Sequence, residues 1–177
     1  MVMREDRKEQ ILDKAVEIFA EWGYYKTTTA QVAKAVGVTQ PYIFHFFQNK
    51  EELFKAVIDK AVQRLFEAFS VVESPGDHLV DMMGLAFNDL MQSHRNEILM
   101  VMQAYTISEP EIRNHVKEKF QMLHESISTI FERGGVSNAE VAASQFIGMG
   151  LMITISEVLE LPQLRRFKDN GKYGPHS

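Results

Sequence analysis

Gly37 lies where two short helical patterns meet, and the stretch around it, TTAQVAKAVGVTQPYIFHFF from Thr28 to Phe47, constrains the fold more than any other part of the chain. Thr28 followed three residues later by Gln31 has the form of a capping box, in which each side chain satisfies a backbone amide of the other residue. The pattern predicts a helix from about Thr29 with Val32, Ala33 and Val36 on one face. Gly37 supplies the positive φ that ends it, Thr39 stands where a cap for the next helix belongs, and Pro41 falls in a first turn, where a missing amide costs nothing. Ala33 is small where two helices must cross, while Val32, Val36, Val38, Ile43 and Phe46 supply apolar contacts that set their angle. The unit reads as a helix-turn-helix, an arrangement whose second helix fits the major groove of duplex DNA.

Charge supports that reading through its distribution rather than its sum. The 177-residue chain has a formal net charge of -5, the wrong sign for a nucleic-acid binder taken whole. Residues 1–60 are balanced, with nine Lys or Arg against nine Asp or Glu. Between Glu21 and Glu51 there is no carboxylate, only Lys26, Lys34 and Lys50 with the titratable His45. A surface that meets phosphates must exclude acids even when it is only mildly basic. The absence of cysteine excludes disulfides, thiolate metal sites and a cysteine nucleophile, and is compatible with a reducing compartment. The first residues, MVMREDRKEQ, are too charged for a secretory signal. The longest apolar run, Phe146 to Ile155, is about half of the roughly 20 residues that a membrane span needs. A cytoplasmic protein with no membrane partner is expected.

The remaining patterns are also helical, with no strand signal and no internal repeat. Asp6 and Glu9 resemble a capping box ahead of a first helix from about Arg7 to Trp22, stopped by Gly23. Asn49 with Glu52 opens a long fourth helix that reaches about Val72, before a break at Ser74, Pro75 and Gly76. Further helices are expected over 77–93 and 98–105. One more is opened by Ser108, Pro110 and Glu111 and closed by Gly134 and Gly135, and another runs from Ser137 and Glu140 to about Glu160. Pro162 begins a last short segment. The expected fold is all-α, with a three-helix helix-turn-helix domain over 1–50, a larger helical domain over 51–168 reached through the long helix, and a polar, flexible tail over 169–177.

The stretch GYYKTTTAQVAKAVGVTQPYIFHFFQNKEELFKAV, Gly23 to Val57, resembles the DNA-binding module of TetR-family transcriptional regulators almost position for position. The resemblance implies a homodimer whose C-terminal domain binds a small effector and dimerises, usually in the service of repression. It also implies that Thr28, Thr39 and Lys50 hold phosphates of a double-stranded DNA operator, and that Gln40, Pro41, Phe44 and His45 face the major groove. The residue chemistry agrees: hydroxyls and helix N-termini suit phosphates, glutamine pairs with an adenine edge, and aromatic or proline surface packs on a thymine methyl. Tyr42 stands one residue along, within reach of a base or the backbone. The family often has Tyr at the position of Phe44 and Tyr or His at that of Phe46, which shifts the expected readout from hydrogen bonds toward apolar contact.

Eight of the ten methionines lie beyond residue 80, and flexible thioethers suit either an ordinary core or a pocket for a hydrophobic ligand. With the resemblance, a pocket is expected from Met82, Phe87, Met91, Met102, Phe120 and Met149, with Tyr105 and His124 as polar groups that orient the ligand. Ser144, Gly148 and Met152 recur at spacing four in a segment apolar on every side, and with Ile155 they form the expected subunit interface. No histidine follows a glutamate by three residues, and neither a G-x-S-x-G elbow nor a G-x-x-x-x-G-K loop occurs. Glu111, His115 and Glu118 share a helical face but are expected to be solvated. The chain is therefore expected to be no enzyme and to need no metal or cofactor. The competing reading is a helical ligand-binding or scaffold protein whose helix-turn-helix does not bind DNA.

Overall fold

The computed structural model describes residues 2–165, and among these there is no β-strand. Eight helices follow one another: α1 Val2–Lys26, α2 Thr29–Val36, α3 Gln40–Phe44, α4 Lys50–Ser70, α5 Gly76–Ser93, α6 Arg95–Ala104, α7 Pro110–Arg133 and α8 Ala139–Val158, with a 3₁₀ turn over Pro162–Arg165. The all-α expectation holds. The expected tail over 169–177 and the last residues of the 51–168 domain lie outside the described residues.

Local chemistry explains most boundaries, and tertiary packing moves the rest. α1 leaves helical geometry at Gly23 (φ 73°, ψ 171°), the stop expected there. It starts earlier than the Asp6–Glu9 pattern implies, because its first turns lie against the end of the helix-turn-helix. The Arg4 guanidinium lies 5.7 Å from the Phe46 ring centroid and the Lys8 ammonium 5.8 Å from that of Phe47. The Thr28–Gln31 capping box is present in both directions, and Gly37 closes α2 in the left-handed conformation (φ 76°, ψ 33°). Asn49 caps α4 by accepting from the Glu52 amide at 2.8 Å. The Glu52 side chain does not reach back; it pairs with Lys55 at 2.6 Å.

Three other expected caps are absent. Thr39 precedes α3 with an extended backbone but makes no side-chain cap, Glu109 rather than Ser108 precedes α7, and Asn138, at φ 51°, rather than Ser137 precedes α8. Ser108 is drawn elsewhere: its hydroxyl lies 2.9 Å from the Tyr25 hydroxyl, which donates to the Glu109 carboxylate at 2.9 Å. The end of α1 is thereby bonded to the turn between α6 and α7.

Two apolar clusters hold the helices together, and α4 runs through both. The first joins Ile11, Phe19, Val32, Ile43, Leu53 and Phe54 to Met100, Ala104, Ile112 and Val116, so α6 and the start of α7 share a core with the helix-turn-helix. The second gathers Leu65 and Phe69 of α4 with Leu79, Met83, Phe87, Leu123, Ile127, Phe131 and Phe146. Polar ties follow the same seams. Lys60 of α4 reaches Glu9 at 2.7 Å and Asp13 at 2.6 Å on α1, and Arg64 of α4 pairs with the buried carboxylate of Glu97 on α6. Burial alone would lower the Lys60 pKa, but the hydrogen bonds its ammonium donates to Asp13 and Glu9 outweigh it and hold the pKa above the usual lysine range.

α8 contains the apolar run Phe146 to Ile155 and continues past it at both ends, through Glu140 and Glu157. Among the described residues this one helix, with a mean hydropathy of 1.4, is long and apolar enough to cross a membrane by length and composition. It is an outer element of the subunit: Val141 is 57% exposed and Leu159, just past its end, 56%.

Candidate nucleic-acid interface and effector cavity

The candidate DNA-binding residues surround α2 and α3 but differ in how free they are. Thr39 and Pro41 are exposed, and with no helix amide to cap, the Thr39 hydroxyl is available to a phosphate. Thr28 is exposed, yet its hydroxyl accepts from the Gln31 amide at 3.2 Å and donates to the Gln31 side chain at 3.1 Å. The first-turn amides of α2 remain for an anion, as at any helix start. Phe44 is 45% exposed and His45 lies at the C-terminal end of α3, also exposed. Tyr42 is half-buried, with its ring packed edge-on against Phe46 at 5.5 Å and His45 at 6.1 Å.

Two of the expected contacts are tethered within the protein. The Gln40 amide donates from Nε2 to the Thr29 hydroxyl at 2.8 Å. The Lys50 ammonium donates to the Tyr24 carbonyl at 3.0 Å and lies over the Tyr24 ring. Tyr24 is buried against Phe19 and Phe54. Its phenol is pushed up to about 12, first by burial and then by the carboxylates of Glu109 and Glu51.

Sequence reasoning missed several participants. Phe47, buried beneath α3, and Tyr24, the platform for Lys50, belong to the same core as Ile43. Arg4 and Lys8 bring positive charge to the end of α3 from outside the acid-free window, and only the tertiary placement of α1 reveals it. Phe46 is half-buried and packs on the core, in keeping with the Tyr42 and Arg4 contacts.

The C-terminal helices form a partly open cavity of about 50 Å³ lined wholly by apolar groups, among them Leu65 and Phe69 of α4, Ile98 and Val101 of α6, and Phe87, Phe120, Leu123, Ile127, Phe146 and Gly150. Of the expected pocket residues, Phe87 and Phe120 line it. Met91 is buried in the surrounding cluster and Met149 is half-buried outside the lining. Met82 and Tyr105 are on the surface, 44% and 55% exposed, Met82 on the outward side of α5 and Tyr105 just past the end of α6. His124 bonds to the Ser144 hydroxyl at 2.9 Å, bridging α7 to α8 rather than facing the cavity. Met102 lies in α6, and its side chain is outside the described residues. A larger open cleft of about 730 Å³ separates α1 and α2 from the α5–α6 junction, lined largely by polar and paired charged groups.

On α8, Ser144, Gly148, Met152 and Ile155 are all exposed. With Val141 and Leu159 they form a solvent-facing stripe at spacings of three or four. A Cβ built on Gly148 meets nothing within 4 Å. Of the three residues expected to be solvated on α7, Glu111 and Glu118 are exposed, but His115 is half-buried and bonds to Asp59 of α4 at 2.8 Å, with Lys119 reaching the same carboxylate at 2.9 Å. Among the described residues no group of three or more His, Asp or Glu is arranged to hold a metal ion.

Residues 11–57 match the model of bacterial regulatory proteins of the tetR family. The HTH-type transcriptional activator FasR of Mycolicibacterium smegmatis is 23% identical over 152 residues, covering 84% of this chain and 68% of that protein. The HTH-type transcriptional repressor Rv1474c of Mycobacterium tuberculosis is 41% identical over 59 residues, but the match covers only 32% of its length. Solved structures share the whole fold. AibR in complex with isovaleryl coenzyme A and operator DNA superposes with a TM-score of 0.68 at 19% identity, covering 84% of this chain and 86% of that one. The FadR regulator of Bacillus subtilis in complex with stearoyl-CoA gives 0.69 at 21%, covering 86% and 88%.

Proposed function

Since the chain belongs to the TetR family of transcriptional regulators, we infer that it is a cytoplasmic repressor that grips operator DNA as a homodimer and lets go when an acyl ligand enters its C-terminal bundle. It acts by binding rather than catalysis. The observation that carries the reading is the paired geometry at Gly37: a capped α2, a left-handed turn and an α3 whose Thr39, Pro41 and Phe44 stand exposed in an acid-free segment. The same exposure disfavours the scaffold reading, since a helix-turn-helix kept only for packing has no reason to exclude carboxylates from this face.

The effector class is supported by two facts. The cavity has no polar lining, which suits a hydrocarbon chain, and both AibR and FadR, which share the fold, were solved with acyl-coenzyme A thioesters. A volume of about 50 Å³ is far below the roughly 300 to 1,000 Å³ of ordinary ligand pockets, so an acyl chain must spread the helices to enter. Spreading acts on α4 and α6 at once. Leu65 and Phe69 line the cavity while Leu53 and Phe54 of the same helix pack under α3, and α6 offers Val101 to the cavity and Ala104 to the core shared with α1. The ligand weakens DNA binding only to the extent that it prefers the spread form.

Dimerisation through α8 follows from its exposed apolar stripe, since burial against a second copy removes from water a face the subunit itself leaves open. The test is fluorescence anisotropy of the protein on DNA from its own upstream region, with and without acyl-CoA thioesters of graded length. Sequence-specific binding that falls as thioester is added supports the reading. Equal binding to random DNA, or none, overturns it.

A further inference from the structure

The hydroxyl of Thr29 is buried beside the turn of the helix-turn-helix and is bonded to a residue of the next helix. Thr29 is the first residue of α2 and only 7% exposed, one of few polar side chains in the interior. Gln40 is the first residue of α3 and exposed, and its Nε2 donates to Thr29 Oγ1 at 2.8 Å. The bond crosses the turn, from the first residue of α3 to the first residue of α2.

An exposed glutamine otherwise samples many rotamers. Anchoring Nε2 to a fixed, buried hydroxyl selects among those rotamers before DNA arrives. It also sets what the amide has left to offer. The group begins with two N–H donors and one carbonyl acceptor. With one N–H committed to Thr29, one N–H and Oε1 remain, and together they complement the N7 acceptor and N6 amino group of adenine. A guanine edge, with two acceptors at N7 and O6, leaves Oε1 facing a lone pair.

We propose that Thr29 is a positioning residue for DNA readout, holding the Gln40 amide so that it selects an A·T pair in the operator. The proposal rests on the regulator function inferred above and adds a residue that need not touch DNA. The experiment uses the full-length dimer and a set of operator duplexes, identified by selection with the unaltered protein, that differ at one base pair at a time. Thr29→Val keeps the side-chain shape and removes the hydrogen-bond partner, Thr29→Ser keeps the hydroxyl, and Gln40→Ala removes the reader.

Thr29→Val is expected to lose about tenfold of the preference for A·T at the pair Gln40 reads, with binding to random DNA unchanged. Thr29→Ser is expected to retain the preference. In the Gln40→Ala background, Thr29→Val should have no further effect, because the two side chains act through one contact. Undiminished A·T preference in Thr29→Val, or equal losses on every duplex, overturns the proposal. Failure of the unaltered protein to select any sequence instead defeats the regulator reading itself, and the two failures are distinguishable. Circular dichroism of each variant shows whether the fold is retained, and if the valine one is unfolded, Thr29→Ala, which also removes the hydroxyl, is read against Thr29→Ser in its place.

Discussion

The Lys50 ammonium donates to the main-chain oxygen of Tyr24 at 3.0 Å and lies 4.2 Å from the centroid of the same residue's ring. The first residue of α4 is in this way stapled to the end of α1, across the helix-turn-helix. Only one of the three N–H groups of the ammonium is spent in that bond, so the charge can hold a phosphate without releasing Tyr24. Lys50→Ala is therefore expected to weaken binding to all DNA sequences alike and to lower the slope of log affinity against log salt by about one. Titrations at several salt concentrations give the slope. An unchanged slope would assign Lys50 to packing alone.

Tyr24 itself yields a prediction about alkali. Its phenol titrates at about 12 rather than the ordinary 10.0, with burial the first cause. The folded state holds the proton more tightly than the unfolded chain. The associated stability is thus fully present below the ordinary value and lost as pH rises through the window from there to about 12. Tyr24→Phe keeps the ring contacts with Phe19 and Phe54 and removes the titrating group. Its urea midpoint should fall less between neutral pH and the top of that window than that of the unaltered protein. Parallel curves for the two proteins would show that other groups govern alkaline unfolding.

Which features could be read from the sequence follows from how local their causes are. The Thr28–Gln31 capping box and the left-handed Gly37 involve residues three to nine apart, and each appears where the pattern places it. The Asp6–Glu9 pattern has the same form but does not start a helix, since α1 continues to Val2 and lays Arg4 over Phe46, a residue distant in sequence. The cavity is harder still. Its lining comes from five helices, and methionine content does not locate it, because Met82 and Met122 are exposed while Met83 and Met100 are fully buried in different clusters. α8 is apolar on all sides, so periodicity cannot say which face meets the subunit and which is left open; only its packing against α7 decides.

Gly150 offers a way to separate effector binding from DNA binding. A Cβ at this position would stand 3.5 to 3.8 Å from the Phe87 ring, in ordinary contact, and a longer side chain would project into the cavity between them. Gly150→Leu is expected to cost about 1 to 3 kcal/mol by overpacking, partly offset by about 0.8 to 1 kcal/mol of improved helix propensity. Operator affinity should be kept and release by acyl-CoA lost. If thioester still releases the variant at the concentration that releases the unaltered protein, the effector binds elsewhere.

Gly148 tests the subunit interface without the usual ambiguity of interface mutations. A Cβ there meets nothing within 4 Å and the position is exposed, so Gly148→Leu extends from an open face of the monomer. The replacement should even strengthen α8, by about 0.8 to 1 kcal/mol of helix propensity. Any loss of assembly must then arise from a second copy that approaches closely at the glycine. Sedimentation is expected to show monomers with undiminished helical circular dichroism. Operator affinity should fall as well, since one helix-turn-helix with three lysines between Glu21 and Glu51 makes few phosphate contacts and depends on a second, tethered half-site for useful binding. An intact Gly148→Leu dimer would move the interface off this stripe and leave the exposed face of α8 to some other partner.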